Sequence, residues 1–568
     1  MVEDIVVSTS NGRIRGKTQK NFDGENYCAF YGIPYAKAPV GELRFKAPQP
    51  AEPWQEIWDG TKEGCESPSV FIPYKFQTGR EDNCLHLNIY TQKLPRENED
   101  IKRPVIVYIH GGSFYYGSNR SYIYGPEYLM TQDVVLVVLN FRLGVLGFLS
   151  LDDPSLEVPG NAGLKDQILA LKWVQSNIHN FGGDANNVTI VGQSSGSASV
   201  HYLVLSPLCK GLFHKAIMQS GCALNYWANG KRNAKEIAKL MGYDENIDEK
   251  SLLEKLQQAS VKSIIHAQTE MEDPFYASVI RPFGPVVEYP HEGALITEPP
   301  EVLMKTGNFN HIPIILGYTS KEGLMFEMLR KTRSDVSLPT NLERDIPFSL
   351  NVQKGSQEAT DFAKELKNFY YKDKDITEEH IDNYYVLFGD TVFVEGIQKT
   401  ASLIRSHQKS PVYLYRVNIN SSLNLLTNWC QSTYHNLLLI LTGSAYFLNF
   451  SMFNKLVSYL KMKLINKKVD GVTHGDEMFY LFKGMLSPGA EKGSEEELHI
   501  RRFVKLWTNF AKYGDPTQES VEILGDAKWP PLDESLENVF EIGNTLEVTK
   551  NVEKERVDFL HKLYNQYS

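Results

Sequence analysis

Short apolar runs, each cut off by glycine or small polar residues, set the rhythm of this chain. Val105-Ile-Val-Tyr-Ile109 runs into His110-Gly-Gly-Ser113, and Val188-Thr-Ile-Val191 runs into Gly192-Gln-Ser-Ser-Gly196. Ile312-Pro-Ile-Ile-Leu316 precedes Gly317-Tyr-Thr-Ser-Lys-Glu-Gly323, and Tyr413-Leu-Tyr415 forms a further run. Runs this short, rich in β-branched and aromatic residues and bounded by turn formers, predict buried strands. After Gly196 the small residues Ser197-Ala-Ser-Val200 predict a helix start. A first strand is expected to begin by about Ile5, and the Lys/Glu-rich stretches near 363–380 and 490–498 read as solvated helical faces.

The strand–turn–helix around Ser194 is the context that a G-x-S-x-G nucleophile elbow requires. A serine hydroxyl attacks well only when it stands proud of the backbone within reach of a base. A sharp turn achieves this but crowds Cβ atoms, which Gly192 and Gly196 lack. Partners are expected in the order serine, carboxylate, histidine along the chain. Glu322 sits just past a strand, at the sheet edge where open α/β sheets carry their sites, and Gly471-Val-Thr-His-Gly-Asp-Glu477 places His474 in a loop. His110-Gly-Gly-Ser113 is an H-G-G-G-type loop, with Ser113 for the third glycine; such loops supply backbone donors to a developing oxyanion. The other histidines, among them His110, His201 and His214, read as packing or surface residues.

Through these motifs the chain resembles a type B carboxylesterase, of the cholinesterase/carboxylesterase group in the α/β-hydrolase superfamily, and most resembles the insect carboxylesterases. The resemblance also rests on Phe30-Tyr-Gly-Ile-Pro-Tyr-Ala36, Leu43-Arg-Phe-Lys-Ala-Pro48, Asn140-Phe-Arg-Leu-Gly144, Gly160-Asn-Ala-Gly-Leu-Lys-Asp-Gln167 and Trp507-Thr-Asn-Phe-Ala511. It implies an α/β-hydrolase fold: one domain over 1–568, with a central, mostly parallel twisted sheet flanked by helices and large insertions forming an active-site gorge. It implies Ser194 as nucleophile, His474 as base and Glu322 as its carboxylate partner. The oxyanion donors would be the N–H groups of Gly112, Ser113 and Ser195, with Gly111 shaping the turn and Ser220 supporting the Glu–His pair. Trp227 matches an acyl-pocket position, and Phe283, Met325 and Phe326 are expected as further walls. No metal or other cofactor is implied. Two departures lie at the elbow: Gln193 where most relatives carry Glu, and Ser195 where Ala is usual.

Composition narrows the partners. A net charge of −10 and a pI near 5.9 argue against nucleic acid, and the expected partner is a small-molecule ester. Nothing in the sequence fixes the oligomeric state. Met1-Val-Glu-Asp4 leaves no room for a signal peptide before the first strand, so a cytoplasmic address is expected, or secretion if a leader was trimmed. The sequons at Asn187, Asn420 and Asn449 matter only in the second case. Cys65 and Cys84 match positions that pair in the family, a bridge that a reducing cytosol would leave as thiols. The apolar pieces Leu437–Leu441 and Ala445–Leu448 are split by Thr442-Gly-Ser444 and are too short for the roughly 20 residues of a spanning helix. No transmembrane segment is expected, and 420–448 stands out as an atypical insertion.

For substrate class, the cholinesterases hold choline against a tryptophan in the loop between the cysteines matching Cys65 and Cys84. Here that loop has Phe71, Tyr74 and Phe76 but no tryptophan, which points away from choline esters. The leading expectation is a broad-specificity carboxylic ester hydrolase for neutral aliphatic or aromatic esters, including xenobiotics and insecticides. The alternatives are a juvenile hormone or pheromone/odorant-degrading esterase, a sequestering esterase with slow turnover, and a non-catalytic, cholinesterase-like adhesion protein.

Overall fold

The structure is a computed structural model; it describes residues 5–567 except 72–75, 97–98, 245, 272–281, 333–335, 351, 432–469, 486 and 520. Its strands are β1 (Ile5–Thr9), β2 (Gly12–Lys20), β3 (Asn26–Pro34), β4 (Trp58–Asp59), β5 (Ser69–Phe71), β6 (Phe76–Thr78), β7 (His86–Thr91) and β8 (Arg103–Ile109). There follow β9 (Val135–Leu139), β10 (Gly183–Gln193), β11 (Lys215–Gln219), β12 (Ile314–Thr319), β13 (Val412–Val417), β14 (Asn538–Ile542) and β15 (Leu546–Lys550). Among the described residues one 13-stranded sheet runs in the order β1-β2-β3-β7-β9-β8-β10-β11-β12-β13-β14-β15, with β4 beside β2; β5 and β6 form a separate hairpin. From β9 to β14 along that order neighbours are parallel, and antiparallel strands close both flanks.

Both faces of the parallel part are covered, which is why its strands read as continuous apolar runs. The two-residue period sends Val105, Val107 and Ile109 into one core, shared with Leu164 and Leu171 of the helix Ala162–Asn177 and with Val200 and Leu203 of the helix Ser195–Leu205. Ile106 and Tyr108 point to the other face, where Phe503, Trp507 and Phe510 of the helix Glu495–Tyr513 meet them. That helix begins inside the Lys/Glu-rich stretch near 490–498, and the helix Gln357–Tyr370 covers the first part of the other one.

The strand expected over 312–316 starts later and ends later, at Ile314–Thr319. Pro313 has no N–H to give the ladder, whereas Gly317 and Tyr318 pair with Tyr415 and Arg416. The shift matters to the site, because it brings Thr319 to the strand end only three residues before Glu322. Parallel strands present their C-terminal ends at one edge. Here β8, β10, β11 and β12 end there in register, with Ile109 opposite Gly192, Gln193 opposite Gln219, and Gln219 opposite Gly317.

Candidate active site

Each of those four strand ends delivers one part of the site. β10 delivers Ser194, whose backbone stands at φ 58° and ψ −124°, far from helix or strand. Its N–H donates to Gln219 O at 2.8 Å, and its carbonyl accepts the first helical bond, from Ala198 N at 2.9 Å. The elbow has no space for side chains at its glycines: a Cβ at Gly192 would lie 2.2 Å from Gly196 O, and one at Gly196 would lie 2.1 Å from Ile109 O. The second contact joins the elbow to the end of β8, where the glycine loop begins.

That loop is built from unusual backbone. Gly112 has φ 120°, and Ser113 and Phe114 have φ 57° and 59°. Gly112 O accepts from Tyr115 N at 2.9 Å and Tyr116 N at 3.0 Å, which closes the turn. Among the described residues, the N–H groups of Gly112 and Ser113 donate to no acceptor. The Gly111 position faces Ser194, since a Cβ there would lie 3.2 Å from Ser194 Cβ. His110 is buried, stacks on Phe141 at 4.5 Å, and contacts Gly111 O through Nδ1 at 2.8 Å. Burial pushes its imidazole down to about 4, so it sits neutral under the loop.

β12 and β11 supply the acid and its support. Glu322 is buried, and three donors converge on its carboxylate. Oε1 accepts from Ser220 Oγ at 2.6 Å and Thr319 N at 2.7 Å, and Oε2 accepts from His474 Nδ1 at 2.7 Å. Ser220 itself is held at φ 55° at the end of β11, and its hydroxyl also lies 3.2 Å from Glu477 Oε1. The turn carrying Glu322 depends on Gly323, whose Cβ would fall 1.8 Å from Tyr385 O and 2.5 Å from Gly389 N, both on the helix Ile381–Gly389.

The histidine loop is pinned from behind. Asp476 accepts from Leu426 N at 2.7 Å and Thr427 N at 3.0 Å, and Thr473 N donates to Thr427 Oγ1 at 2.8 Å. Residues 420–431 of the expected insertion therefore hold the His474 loop; 432–448 and Asn449 lie outside the described residues. Burial raises the Asp476 carboxyl to about 7, and burial followed by the nearby charge of Glu322 raises that of Glu477.

Three groups around His474 were not assigned to it from the sequence. Phe393 stacks on the imidazole, with centroids 4.3 Å apart and planes at 28°. It stands on a π-helical turn, Asp390–Val394, whose spare carbonyls are taken up by other side chains. Asn225 Nδ2 donates to Val392 O and Phe393 O, both at 3.0 Å, and Trp227 Nε1 donates to Val392 O at 2.7 Å. Nothing in the local sequence distinguishes Phe393 from an ordinary core aromatic. Glu477 had a faint signal, a carboxylate three residues after the histidine. Gln193 stood out as a departure, but its contact did not: Nε2 lies 3.2 Å from His474 Nε2.

The expected pocket residues separate. Trp227 is buried beside the site: its ring is 5.9 Å from that of Phe393, and its Cη2 would lie 3.2 Å from a Cβ at Gly221. Phe283 is buried, next to Gly284, whose Cβ would contact the Phe114 ring at 3.9 Å. Met325 is half-buried. Phe326 packs on Tyr384 at 4.6 Å and Phe388 at 5.5 Å, on the side of the Ile381–Gly389 helix. Tyr74 lies outside the described residues, as do the side chains of Phe71 and Phe76. Cys65 and Cys84 are both free, and among the described residues no three His, Cys, Asp or Glu side chains gather as a metal would require.

The chain as a whole has known relatives. The carboxylesterase family model matches residues 3–560. The chain belongs to the carboxylesterase family. As a carboxylesterase it is 34% identical over 548 residues to Esterase E4 of Myzus persicae, covering 94% of this chain and 90% of that one. It is 35% identical over 538 residues to the juvenile hormone esterase of Tribolium castaneum, covering 90% and 84%. Its structure matches that of the juvenile hormone esterase from Manduca sexta, solved with OTFP covalently attached. The TM-score is 0.81 at 28% identity, covering 99% of this chain and all of that one. The carboxylesterase is therefore a carboxylic ester hydrolase of the α/β-hydrolase fold. Among the described residues no helix of it is long and apolar enough to cross a membrane.

Proposed function

We propose that the chain, acting as one domain, hydrolyses neutral aliphatic and aromatic esters through an acyl-enzyme on Ser194. The observation that carries this reading is the buried relay Ser220–Glu322–His474 ending beside the Ser194 elbow. Glu322 accepts from Nδ1, which makes Nε2, 3.2 Å from the Gln193 amide nitrogen, the atom that takes a proton. Ser194 Oγ attacks the ester carbonyl as His474 takes its proton, and the same proton then goes to the departing alcohol. The negative oxygen is received by the N–H groups of Gly112, Ser113 and Ser195; among the described residues the first two have no other acceptor, and the third opens a helix. Water repeats the cycle on the acyl-enzyme, releasing the acid and restoring Ser194.

Trp227 and Phe393 form the inner wall for the acyl chain, with Phe283 and Met325 behind it, while Phe326 packs on the Ile381–Gly389 helix instead. A wall of aromatic and apolar groups selects uncharged chains. The same reading has the chain act on xenobiotic esters, in the cytoplasm or, if a leader was trimmed, outside the cell.

The test is pre-steady-state hydrolysis of 4-nitrophenyl butyrate with Ser194→Ala alongside. A burst of one nitrophenolate per site, absent from the variant, supports the acyl-enzyme; correctly folded protein showing neither burst nor turnover would overturn it. A second reading, hydrolysis of a hormone-like conjugated methyl ester, is favoured by the names of two of the relatives. It predicts a strong preference for such an ester over short aryl esters.

A further inference from the structure

Gln193 occupies the position that catalysis needs at His474. Because Glu322 accepts from Nδ1, the neutral ring carries its proton there, and Nε2 is an acceptor. The group 3.2 Å from Nε2 is the Gln193 side-chain nitrogen, which has N–H to give. Among the described residues, this is the hydrogen bond that Nε2 makes; none comes from Ser194. The contact is sheltered, since Gln193 is 8% exposed. Both ends of the carboxamide face glycines. A Cβ at Gly475 would lie 3.7 Å from its nitrogen, and one at Gly111 would lie 3.0 Å from its oxygen. Neither of these two positions carries a Cβ against the amide.

In the acyl-enzyme cycle Nε2 serves two oxygens besides Ser194 Oγ. During acylation its proton passes to the alkoxy oxygen of the ester as the carbonyl C–O bond breaks. During deacylation it takes a proton from water as the water oxygen bonds to the carbonyl carbon, then returns a proton to Ser194 Oγ as that C–O bond breaks. Each oxygen must come within hydrogen-bond reach of Nε2, and that is where the Gln193 nitrogen sits. A bound ester brings its alkoxy group as part of a large ligand held by the pocket. Water brings nothing else with it.

We propose that Gln193 is a gate on the base, displaced by the alcohol part of a bound ester and returning once that alcohol has left. The gate rests on the acyl-enzyme reading given above. It slows the second half of the cycle selectively, because the returning amide competes with the hydrolytic water for Nε2. Esters of one acid with different alcohols then share one gated deacylation rate, and the acyl-enzyme accumulates.

The experiment compares the burst and the following steady rate for wild type, Gln193→Met and Gln193→Leu, with 4-nitrophenyl butyrate in excess. Met keeps the length without an N–H, and Leu removes the N–H without adding charge, so the test stands if only one variant folds. The expected result is a post-burst rate about five-fold faster, the worth of one neutral hydrogen bond, with a burst rate that is unchanged or changed much less. A post-burst rate unchanged or slowed in the folded variants would overturn the gate. A wild type that turns over without a burst would overturn it too, since deacylation would then not limit the rate. Absence of both burst and turnover would instead bring down the acyl-enzyme reading, and the gate with it.

Discussion

Phe393 lies against one face of the His474 imidazole, ring centroids 4.3 Å apart, while Glu322 holds the ring edge at Nδ1 from 2.7 Å. Together the two contacts fix both the plane of the base and its rotation within that plane. A hydrogen bond alone leaves an imidazole free to rock about the Nδ1–carboxylate axis; a flat aromatic neighbour removes that freedom.

Replacing Phe393 with Leu keeps the site apolar but removes the flat partner. An aromatic pair contributes about 0.5–1.5 kcal/mol beyond its buried area, so kcat for 4-nitrophenyl butyrate should fall about three- to ten-fold. The swap is otherwise close to volume-conserving, so stability should fall by about 1 kcal/mol or less. Steady-state kinetics beside a urea titration separates the two, and an unchanged kcat would show that the stack does not orient the base.

Glu322→Gln should be far more damaging than its size suggests. An amide nitrogen facing Nδ1 favours the opposite tautomer and gives no charge to steady the imidazolium. A loss of about 10⁴-fold in kcat is expected, the scale seen for the equivalent change in a serine protease triad. Labelling by a small fluorophosphonate, followed by intact-mass spectrometry, should slow in parallel. Fast labelling alongside lost ester turnover would mean that Ser194 is activated by some other group.

Gly196→Ala tests the joint between elbow and glycine loop. The new methyl would meet Ile109 O at 2.1 Å and His110 O at 2.7 Å, so the β8 end has to retreat. Displacing the loop forfeits oxyanion donors, each worth about 10²–10³-fold in kcat. A folded Gly196→Ala enzyme with more than a tenth of wild-type kcat/KM would show that the loop is not where the oxyanion is held.

Asp345 gives a pH signature away from the site. Burial raises its carboxyl from 3.8 to about 6; Tyr384 donates to Oδ1 at 2.7 Å, and among the described residues Oδ2 has no partner. An acid whose pKa is raised by folding binds its proton more tightly in the native state. Its cost to stability is therefore absent below pH 4, grows between pH 4 and 6, and is constant above. Asp345→Asn removes this titration, so its stability relative to wild type should rise across that window by about 2–3 kcal/mol. Urea unfolding at pH 4 and pH 7 measures the change; an equal difference at both values would place Asp345 in its ionised form throughout.

The framework of the candidate site was legible because its motifs are local in sequence. Gly192, Ser194 and Gly196 form one turn, and Glu322 follows a readable strand. His474 follows no such strand, and only the motif order along the chain picked it out. What surrounds His474 was not legible, for a physical reason. Phe393 arrives through a π-helical turn that carries no residue signature, and its orientation depends on Asn225 and Trp227, far away in the chain. The end of β12 was missed because Gly317 and Tyr318 look like loop residues until Tyr415 and Arg416 pair with them. Gln193 was visible as an unusual residue, but which of its neighbours it would touch is a property of the folded edge alone.

The close approach of Gly323 to Gly389 has one more consequence. Glu322 belongs to the turn pressed against the Ile381–Gly389 helix, and the π-helical turn bearing Phe393 is the direct continuation of that helix. The carboxylate and the aromatic face thus hang from a single spine. A substitution that shifts this spine to admit a bulkier acid would also move the carboxylate that orients the base. On the proposed reading, substrate range and catalytic power are geared together, and lineages that broaden one through this helix should carry a matching adjustment in the Glu322 turn.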